Sequence, residues 1–252
     1  MKRFLVLSIV TLAFTAPAAA QSKPQNPCAA KPSAQNPCAM KGTPMKGVAV
    51  NPCHAKMGTV FHVADPMGRN TVTFKSEAPL EDIIGTSNQV TGYVVFDPAN
   101  PARGAKGQLS VPVASLQTGI PLRDEHLRSQ DWLDAGSSPD ITFSIDEVKD
   151  VRIVKDSAAS KTFDARLVGV LSLHGRSKRL EVPARVTYLR ENAQTQTKRP
   201  GNLVAGRTSF DVALKDFDVR GMQGVVGSKV SDVITIDVSF VASDRAPERA
   251  GR

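Results

Sequence analysis

The chain has 252 residues, of which 41% are hydrophobic and 22% are charged, and its formal net charge is +8. These proportions are ordinary for a globular protein, and the length suffices for one domain with a sizeable core. The basic residues are scattered and aromatic residues make up only 5% of the chain, which argues against a nucleic-acid-binding surface. We therefore expect no nucleic-acid partner, whereas the positive charge is compatible with peripheral contact to an anionic membrane surface.

Residues 1–20 have the pattern of a secretory signal peptide. Lys2 and Arg3 precede an apolar run over 4–14 that is too short to span a bilayer comfortably. Three consecutive alanines end at Ala20 and supply the small residues that signal peptidase requires. The sequence therefore predicts export with cleavage near Ala20, and the bacterial periplasm is the expected location.

Residues 21–58 are rich in Pro, Ala, Lys and Gln and contain three Asn-Pro-Cys repeats, which end at Cys28, Cys38 and Cys53. Few large apolar residues occur there, so the segment is predicted to be a disordered tether. In an oxidising compartment two of the three cysteines can pair, which leaves one free or joined to another chain. The alternative is a soft-metal site, because these thiolates and His54 suit Cu(I), but their spacing fits no compact metal motif.

From residue 59 onward apolar and polar residues alternate with a period of two, which is typical of strands with one buried face. No apolar pattern of helix length separates consecutive strands, so the sheet is predicted to be antiparallel. About eight such strands can close into a barrel, whose interior is either filled by side chains or hollow. The segments with this alternation are 71–75, 90–96, 109–114, 141–146, 163–173, 180–189, 203–214 and 233–241. The predicted all-β domain covers 59–244, and a disordered tail follows at 245–252.

One short helical turn is predicted in residues 123–134, which read RDEHLRSQDWLD. Asp124 and Arg128 stand at i and i+4 and are expected to form an ion pair on that turn. His126 between them could act as a general base, but no Ser or Cys nucleophile is tied to it by the sequence. We expect the turn to close one barrel end with an apolar plug formed by Leu127, Trp132 and Leu133.

Four segments resemble the motifs of one family in the same order. Residues 123–134 resemble its RDxHLRSxDFLD pattern, and 139–143 (PDITF) resemble its xPxITF strand. Residues 171–183 (LSLHGRSKRLEVP) are similar to its LTLHGxTKxxxxP pattern, and 85–98 match its Gly- and FDP-containing region. The chain from about residue 60 to 241 is thereby identified as resembling the YceI-like family.

That resemblance implies a secreted, lipocalin-like antiparallel barrel that holds a polyisoprenoid, a quinone or another long-chain amphiphile in its lumen. It carries no catalytic triad, so the chain is expected not to be an enzyme and to need no cofactor other than a bound lipid. The alternation favours twelve lumen-lining residues, namely Val72, Phe74, Val94, Phe96, Leu109, Val111, Ile141, Phe143, Leu171, Ile234, Ile236 and Val238.

Three hypotheses of function follow from the sequence. The first is a periplasmic carrier that sequesters a polyisoprenoid-type lipid. The second is a redox or copper-binding partner that acts through Cys28, Cys38, Cys53 and His54 of the tether. The third is an acid–base enzyme centred on His126, for which the sequence names no substrate. Whether the barrel forms a homodimer and which lipid it binds are left open.

Overall fold

The computed structural model describes residues 48–247. The predicted signal peptide, the tether as far as residue 47 and the last five residues lie outside the described part. The helices are α1 (Pro52–Ala55), α2 (Pro121–Arg128) and α3 (Ala193–Lys198), and 3-10 turns occur at Pro101–Arg103, Val113–Ser115 and Leu214–Phe217. The strands are β1 (Thr59–Val63), β2 (Thr71–Glu77), β3 (Asp82–Ser87), β4 (Thr91–Phe96), β5 (Ala105–Pro112), β6 (Asp140–Asp156), β7 (Ser160–Leu173), β8 (Arg176–Leu189), β9 (Leu203–Ala213) and β10 (Val233–Ser243).

These strands form a closed antiparallel barrel with eight strand positions. β1 and β2 lie end to end as one interrupted strand, and β4 and β3 pair beside them as a second interrupted strand. From β4 onward each strand pairs with the next one along the chain. β10 closes the ring, because it pairs with β9 on one side and with both β2 and β1 on the other. The eight-stranded antiparallel barrel predicted from the sequence is confirmed.

The alternation of residue types decides which side of each strand faces the interior. In β10, Ile236 and Val238 point toward the core, whereas Asp237 between them is exposed. The antiparallel register carries this pattern across the wall, since Ile236 lies opposite Phe210 of β9 and Phe74 of β2. The apolar sides of all strand positions therefore meet in one central core.

A loop over residues 64–70 interrupts the first strand position and is held by two buried polar side chains. Asp65 accepts hydrogen bonds from the backbone N–H groups of Met67 and Arg69 and from the Arg69 guanidinium. Asn70 is 1% exposed, and its Oδ1 accepts a hydrogen bond of 2.9 Å from the backbone N–H of Val241. Val241 lies between the parts of β10 that pair with β2 and with β1. Asn70 thus supplies the acceptor that the interrupted strand lacks.

The two ends of the barrel carry different elements. α2 joins β5 to β6, and the long segment over 214–232 joins β9 to β10, so both lie at one end, here called the α2 end. α3 joins β8 to β9 and lies at the opposite end, here called the α3 end. The α2 end also contains the hairpin between β7 and β8, where His174 and Gly175 both have positive φ. Two consecutive residues with positive φ form a two-residue hairpin turn whose twist matches that of the two strands.

α1 covers the outer face of β4. Asn51 caps this helix by accepting a hydrogen bond from the N–H of Cys53, and its own N–H donates to the hydroxyl of Tyr93. Nδ1 of His54 hydrogen-bonds with the same hydroxyl at 3.0 Å, and Tyr93 is 1% exposed. The last part of the segment that the sequence assigns to the tether therefore packs on the barrel.

The number of helices differs from the sequence-based expectation of one. α2 was predicted, whereas α1 and α3 were not, because each has only four to six residues and lacks an apolar period. α3 begins at an Asn192–Thr195 capping box, in which each side chain bonds the backbone of the other residue. Within residues 48–247 no helix is long and apolar enough to cross a membrane.

Replacing Asn70 with Ala is expected to lower the free energy of unfolding by about 1–3 kcal/mol, because the Val241 N–H is then left buried without an acceptor. Chemical denaturation of the purified protein measures the effect. Asn88→Ala is the control, because Asn88 is exposed and this change is expected to shift the unfolding free energy by less than about 0.5 kcal/mol. Equal effects of the two substitutions would contradict the role assigned to Asn70.

The Asp65 loop predicts a dependence of stability on pH. Hydrogen bonds from the Arg69 side chain lower the pKa of Asp65 below its ordinary value. Because the pKa is depressed in the folded state, this stabilisation is fully present above the ordinary carboxyl pKa and is lost as the pH falls through the folded value. We expect Asp65→Asn to destabilise the protein by about 1–3 kcal/mol near neutral pH, and the difference to shrink below about pH 4. Denaturation curves at a series of pH values test this, and a difference that stays constant into acid would contradict it.

Candidate ligand cavity

The barrel encloses one apolar cavity of about 130 Å³. Ten of the twelve predicted lumen residues line it: Val72, Val94, Phe96, Leu109, Val111, Ile141, Phe143, Leu171, Ile236 and Val238. The two others pack elsewhere in the core. A Cβ on Gly85 would overlap the ring of Phe74, which places that ring against the backbone of β3. Ile234 is buried in the core at the start of β10, toward the α2 end.

The cavity has further lining residues that were not predicted from the sequence. Many of them could have been, because they follow the same period-two alternation along the predicted strands. β9 contributes Val204, Gly206, Thr208 and Phe210, which are every second residue of a strand that was predicted. The further apolar contributions come from Val90, Pro101, Ala105, Ile145, Val148, Phe163, Leu167, Val182, Ala184, Val186 and Phe240. The cavity is therefore bordered by all eight strand positions of the barrel.

Aromatic pairs border the cavity toward both barrel ends. The rings of Phe96 and Phe163 meet edge to face at 6.1 Å toward the α3 end. The rings of Phe143 and Phe210 stack toward the α2 end, with centroids 6.5 Å apart and planes inclined by 30°. Such pairs are favourable contacts that hold a wall together while leaving large flat surfaces available to a slender apolar chain.

The volume of the cavity limits what it can hold without rearrangement. Pockets for drug-sized ligands have volumes of about 300–1,000 Å³. A space of about 130 Å³ accommodates only part of a long chain. Binding of a long amphiphile therefore requires lining side chains to turn aside or part of the wall to move.

Two charged side chains occur among the lining residues, and both are basic. Lys106 uses its ammonium to donate a hydrogen bond to the backbone oxygen of Asp146. Arg207 lies on β9 and is largely exposed. No Asp, Glu, His, Cys or Ser lines this cavity, so its chemistry is that of an apolar container.

The predicted plug residues contact the core at the α2 end. Leu133 is 8% exposed, while Leu127 and Trp132 are partly buried against the same core cluster. The Trp132 ring packs on Gly221, which has a φ of +61° and leaves no space for a Cβ. The N–H of Gly221 donates to the backbone oxygen of Asp131 at 3.0 Å, which joins the segment after α2 to the long β9–β10 connection.

The predicted ion pair between Asp124 and Arg128 is wrong. Asp124 instead accepts hydrogen bonds from the N–H and the hydroxyl of Thr118 at 2.7 and 2.6 Å. Arg128 donates to the backbone oxygen of Leu116 at 3.1 Å. Both side chains thus bind backbone groups of the connection between β5 and α2 and hold that connection against the helix. His126 is exposed on the same helix and lies away from the lining of the cavity.

His174 joins two connections at the α2 end. Its Nδ1 donates a hydrogen bond of 3.1 Å to the backbone oxygen of Phe217 in the 3-10 turn after β9. The bond ties the β7–β8 hairpin to the neighbouring connection.

The residues of the alternative metal site are only partly described. Cys53 is exposed with a free thiol, and His54 is engaged with Tyr93 on the barrel wall. Cys28 and Cys38 lie outside the described residues. Within 48–247, no group of three or more His, Cys, Asp or Glu side chains is placed to hold a metal ion.

Comparison with known proteins gives the family. The model of the YceI-like domain matches residues 62–242. The chain belongs to the YceI-like family. Protein YceI of Escherichia coli O157:H7 is 28% identical over 155 residues, which cover 62% of this chain and 73% of that protein. A UPF0312 protein of Azotobacter vinelandii is 30% identical over 180 residues, which cover 70% of this chain and 85% of the relative.

Solved structures agree with this YceI-like fold. BcnA of Burkholderia cenocepacia superimposes with a TM-score of 0.56 at 21% identity, over 72% of this chain and 99% of that one. A polyisoprenoid binding domain from Saccharophagus degradans, implicated in plant cell wall breakdown, gives a TM-score of 0.53 at 14% identity, over 75% and 99% of the two chains. At these identities the likeness concerns the fold.

Proposed function

We propose that this protein is a non-enzymatic, periplasmic carrier that sequesters a polyisoprenoid or a related long-chain amphiphile, such as a quinone, in its barrel. The observation that carries the proposal is a closed wall of strands around a cavity lined almost entirely by apolar side chains. The polyisoprenoid binding of the structurally similar domain from Saccharophagus degradans supports the choice of ligand class.

The hydrophobic effect supplies enough free energy for this task. Each methylene group that leaves water contributes about 0.8 kcal/mol, so a few isoprene units outweigh the cost of moving lining side chains. Neither a charged contact nor a chemical step is needed. The largely apolar lining, which contains no Asp, Glu, His, Cys or Ser, supports binding over catalysis, and the third hypothesis, an enzyme centred on His126, gains no support.

The proposed periplasmic location and the proposed contact with membranes are supported by sequence features alone. The signal-peptide pattern of residues 1–20 supports export to the periplasm, and the net charge of +8 supports contact with anionic membrane surfaces. Both stay predictions, as does the formation of a homodimer.

A change that fills the cavity tests the carrier proposal. Ala184 lines the cavity and is 8% exposed, so Ala184→Leu is expected to weaken binding of geranylgeraniol by roughly tenfold, since Leu occupies space that the ligand needs. Native mass spectrometry after gentle purification, followed by titration with geranylgeraniol, a ubiquinone and oleic acid, measures binding.

Ala205→Leu is the matched control, because Ala205 lies on β9 with the opposite alternation and does not line the cavity. It is expected to leave the affinity unchanged. A wild-type protein that carries no lipid and binds none of the three compounds would refute the carrier proposal.

The alternative function as a copper or redox partner draws support only from the exposed thiol of Cys53. Metal analysis of the full mature chain and of a variant without residues 21–47 tests it. The deletion stops at 47 because Asn51 and His54 contact the barrel. Copper that is lost with the deletion would support this function, and the carrier proposal predicts no such dependence.

A further inference from the structure

The wall of the barrel is incomplete between β8 and β9. The ladder that joins them runs only from Leu189–Leu203 at the α3 end to Ala184–Thr208 near the middle of the strands. Beyond that point, residues 176–183 of β8 pair only with β7, and residues 209–213 of β9 pair only with β10. We call this part of the wall, bounded by 176–183 and 209–213, the seam.

The sequence explains why the ladder stops there. Pro183 has no N–H to donate, and its backbone oxygen accepts a hydrogen bond of 2.6 Å from the hydroxyl of Thr208. If the register continued, Glu181 would stand opposite Asp211. Both carboxylates are exposed, and like charges directly opposite each other disfavour pairing. The two features act together to keep β8 and β9 from joining along the seam.

Side chains close the seam in place of backbone hydrogen bonds. Val182 of β8 is 2% exposed, and Phe210 of β9 packs against Phe143 across the cavity. Both Val182 and Phe210 line the cavity. Parting the strands here therefore breaks apolar contacts but no ladder hydrogen bonds, which lowers the cost of opening this part of the wall.

The seam is held at its far end and is therefore a slit. At the α2 end, Lys178 of β8 forms an ion pair with Asp216 in the 3-10 turn that follows β9. His174 donates to the backbone oxygen of Phe217 in the same turn. With the ladder at one end and these contacts at the other, movement is confined to the stretch between them.

An open concavity of about 650 Å³ lies on the outer face of the wall at the point where the ladder ends. Its lining includes Pro183, Thr208 and Ser209, and it shares Ala184, Arg207, Thr208 and Val238 with the inner cavity. One layer of strands therefore separates this outer site, which combines apolar surface with hydroxyl and charged groups, from the apolar inner cavity.

The outer concavity has no net charge among its lining side chains. Arg185 pairs with Asp164 at 2.7 Å, and Arg207 and Asp237 carry one charge of each sign. The other polar side chains of the lining are the hydroxyl-bearing Thr71, Thr73, Thr208, Ser209 and Ser239. Such a surface suits an uncharged headgroup that donates and accepts hydrogen bonds, such as an alcohol or a quinone, better than a phosphate.

We propose that the seam is the entry route of the ligand, and that the outer concavity seats an uncharged, hydrogen-bonding headgroup whose apolar tail passes through the seam into the cavity. This inference rests on the proposed carrier function. It also explains how a cavity of about 130 Å³ receives a long chain, because parting the seam enlarges the space on a side of the wall that has no ladder hydrogen bonds.

A reversible lock on the seam tests the route. In a full mature chain with Cys28→Ser, Cys38→Ser and Cys53→Ser, the pair Glu181→Cys and Asp211→Cys is joined with a bis-maleimide that contains a reducible disulfide. Uptake of geranylgeraniol is expected to slow by roughly tenfold or more when the lock is closed, and to recover when a reductant cleaves it.

The matched control is the pair Thr187→Cys and Ala205→Cys, which lie directly opposite each other in the hydrogen-bonded half of the same two strands. Locking this pair is expected to leave uptake unchanged. Unchanged uptake with the seam locked, in a protein that still binds geranylgeraniol, overturns the route and leaves the carrier function intact. A protein that binds no geranylgeraniol in any form instead overturns the carrier function itself.

The headgroup site has its own test. Thr73→Val together with Ser209→Ala is expected to weaken geranylgeraniol binding by roughly three- to tenfold and to leave binding of squalene, which has no headgroup, unchanged. Wild-type protein is expected to prefer geranylgeraniol to geranylgeranyl phosphate. A preference for the phosphate, or an equal loss for squalene, overturns the proposed headgroup seat.

Discussion

The closure of the sheet at β10 is the constraint on which the rest of the structure depends. A sheet of this length would otherwise expose two edges of unpaired backbone groups, and closure removes both. β10 can close the ring only because the first strand position, although interrupted, still meets it on both sides of the loop over 64–70. Asn70 bridges the interruption with a side-chain acceptor, and Asp65 holds the loop in shape. Two polar side chains therefore secure the wall around an apolar interior.

The same wall is not joined by hydrogen bonds along its whole length. A fully laddered barrel that is capped at the α2 end would admit a long chain only with difficulty. Between β8 and β9 the ladder covers about half of the contact, and Val182 and Phe210 complete the wall by packing alone. Packing contacts are non-directional and re-form after a displacement, whereas a buried backbone group without a partner is costly. The part of the wall that lacks ladder hydrogen bonds between β8 and β9 therefore also borders the cavity and the outer concavity.

Sequence patterns were sufficient where a residue's role follows from its local surroundings. The alternation located β2 and every strand from β4 to β10, and ten of the twelve predicted lumen residues line the cavity. β1 and β3 were not among the predicted segments, and in β3 adjacent Ile83 and Ile84 and the following Gly85 disturb the alternation. The ion pair of Asp124 with Arg128 was wrong, since helical spacing does not reveal that the connection after β5 presents Thr118 and Leu116 to these side chains.

By itself the sequence determined the class of fold, the family and which side chains face inward, because period-two alternation and ordered motifs are local properties of the chain. Only the tertiary structure decided the volume of the cavity, the place where the β8–β9 ladder ends and the docking of α1 on Tyr93. These depend on how side chains from distant strands fill a shared space and on whether facing backbones come within hydrogen-bonding distance. Packing between strands and pairing of their backbones each involve two or more distant segments, so the pattern of residues in one segment does not reveal them.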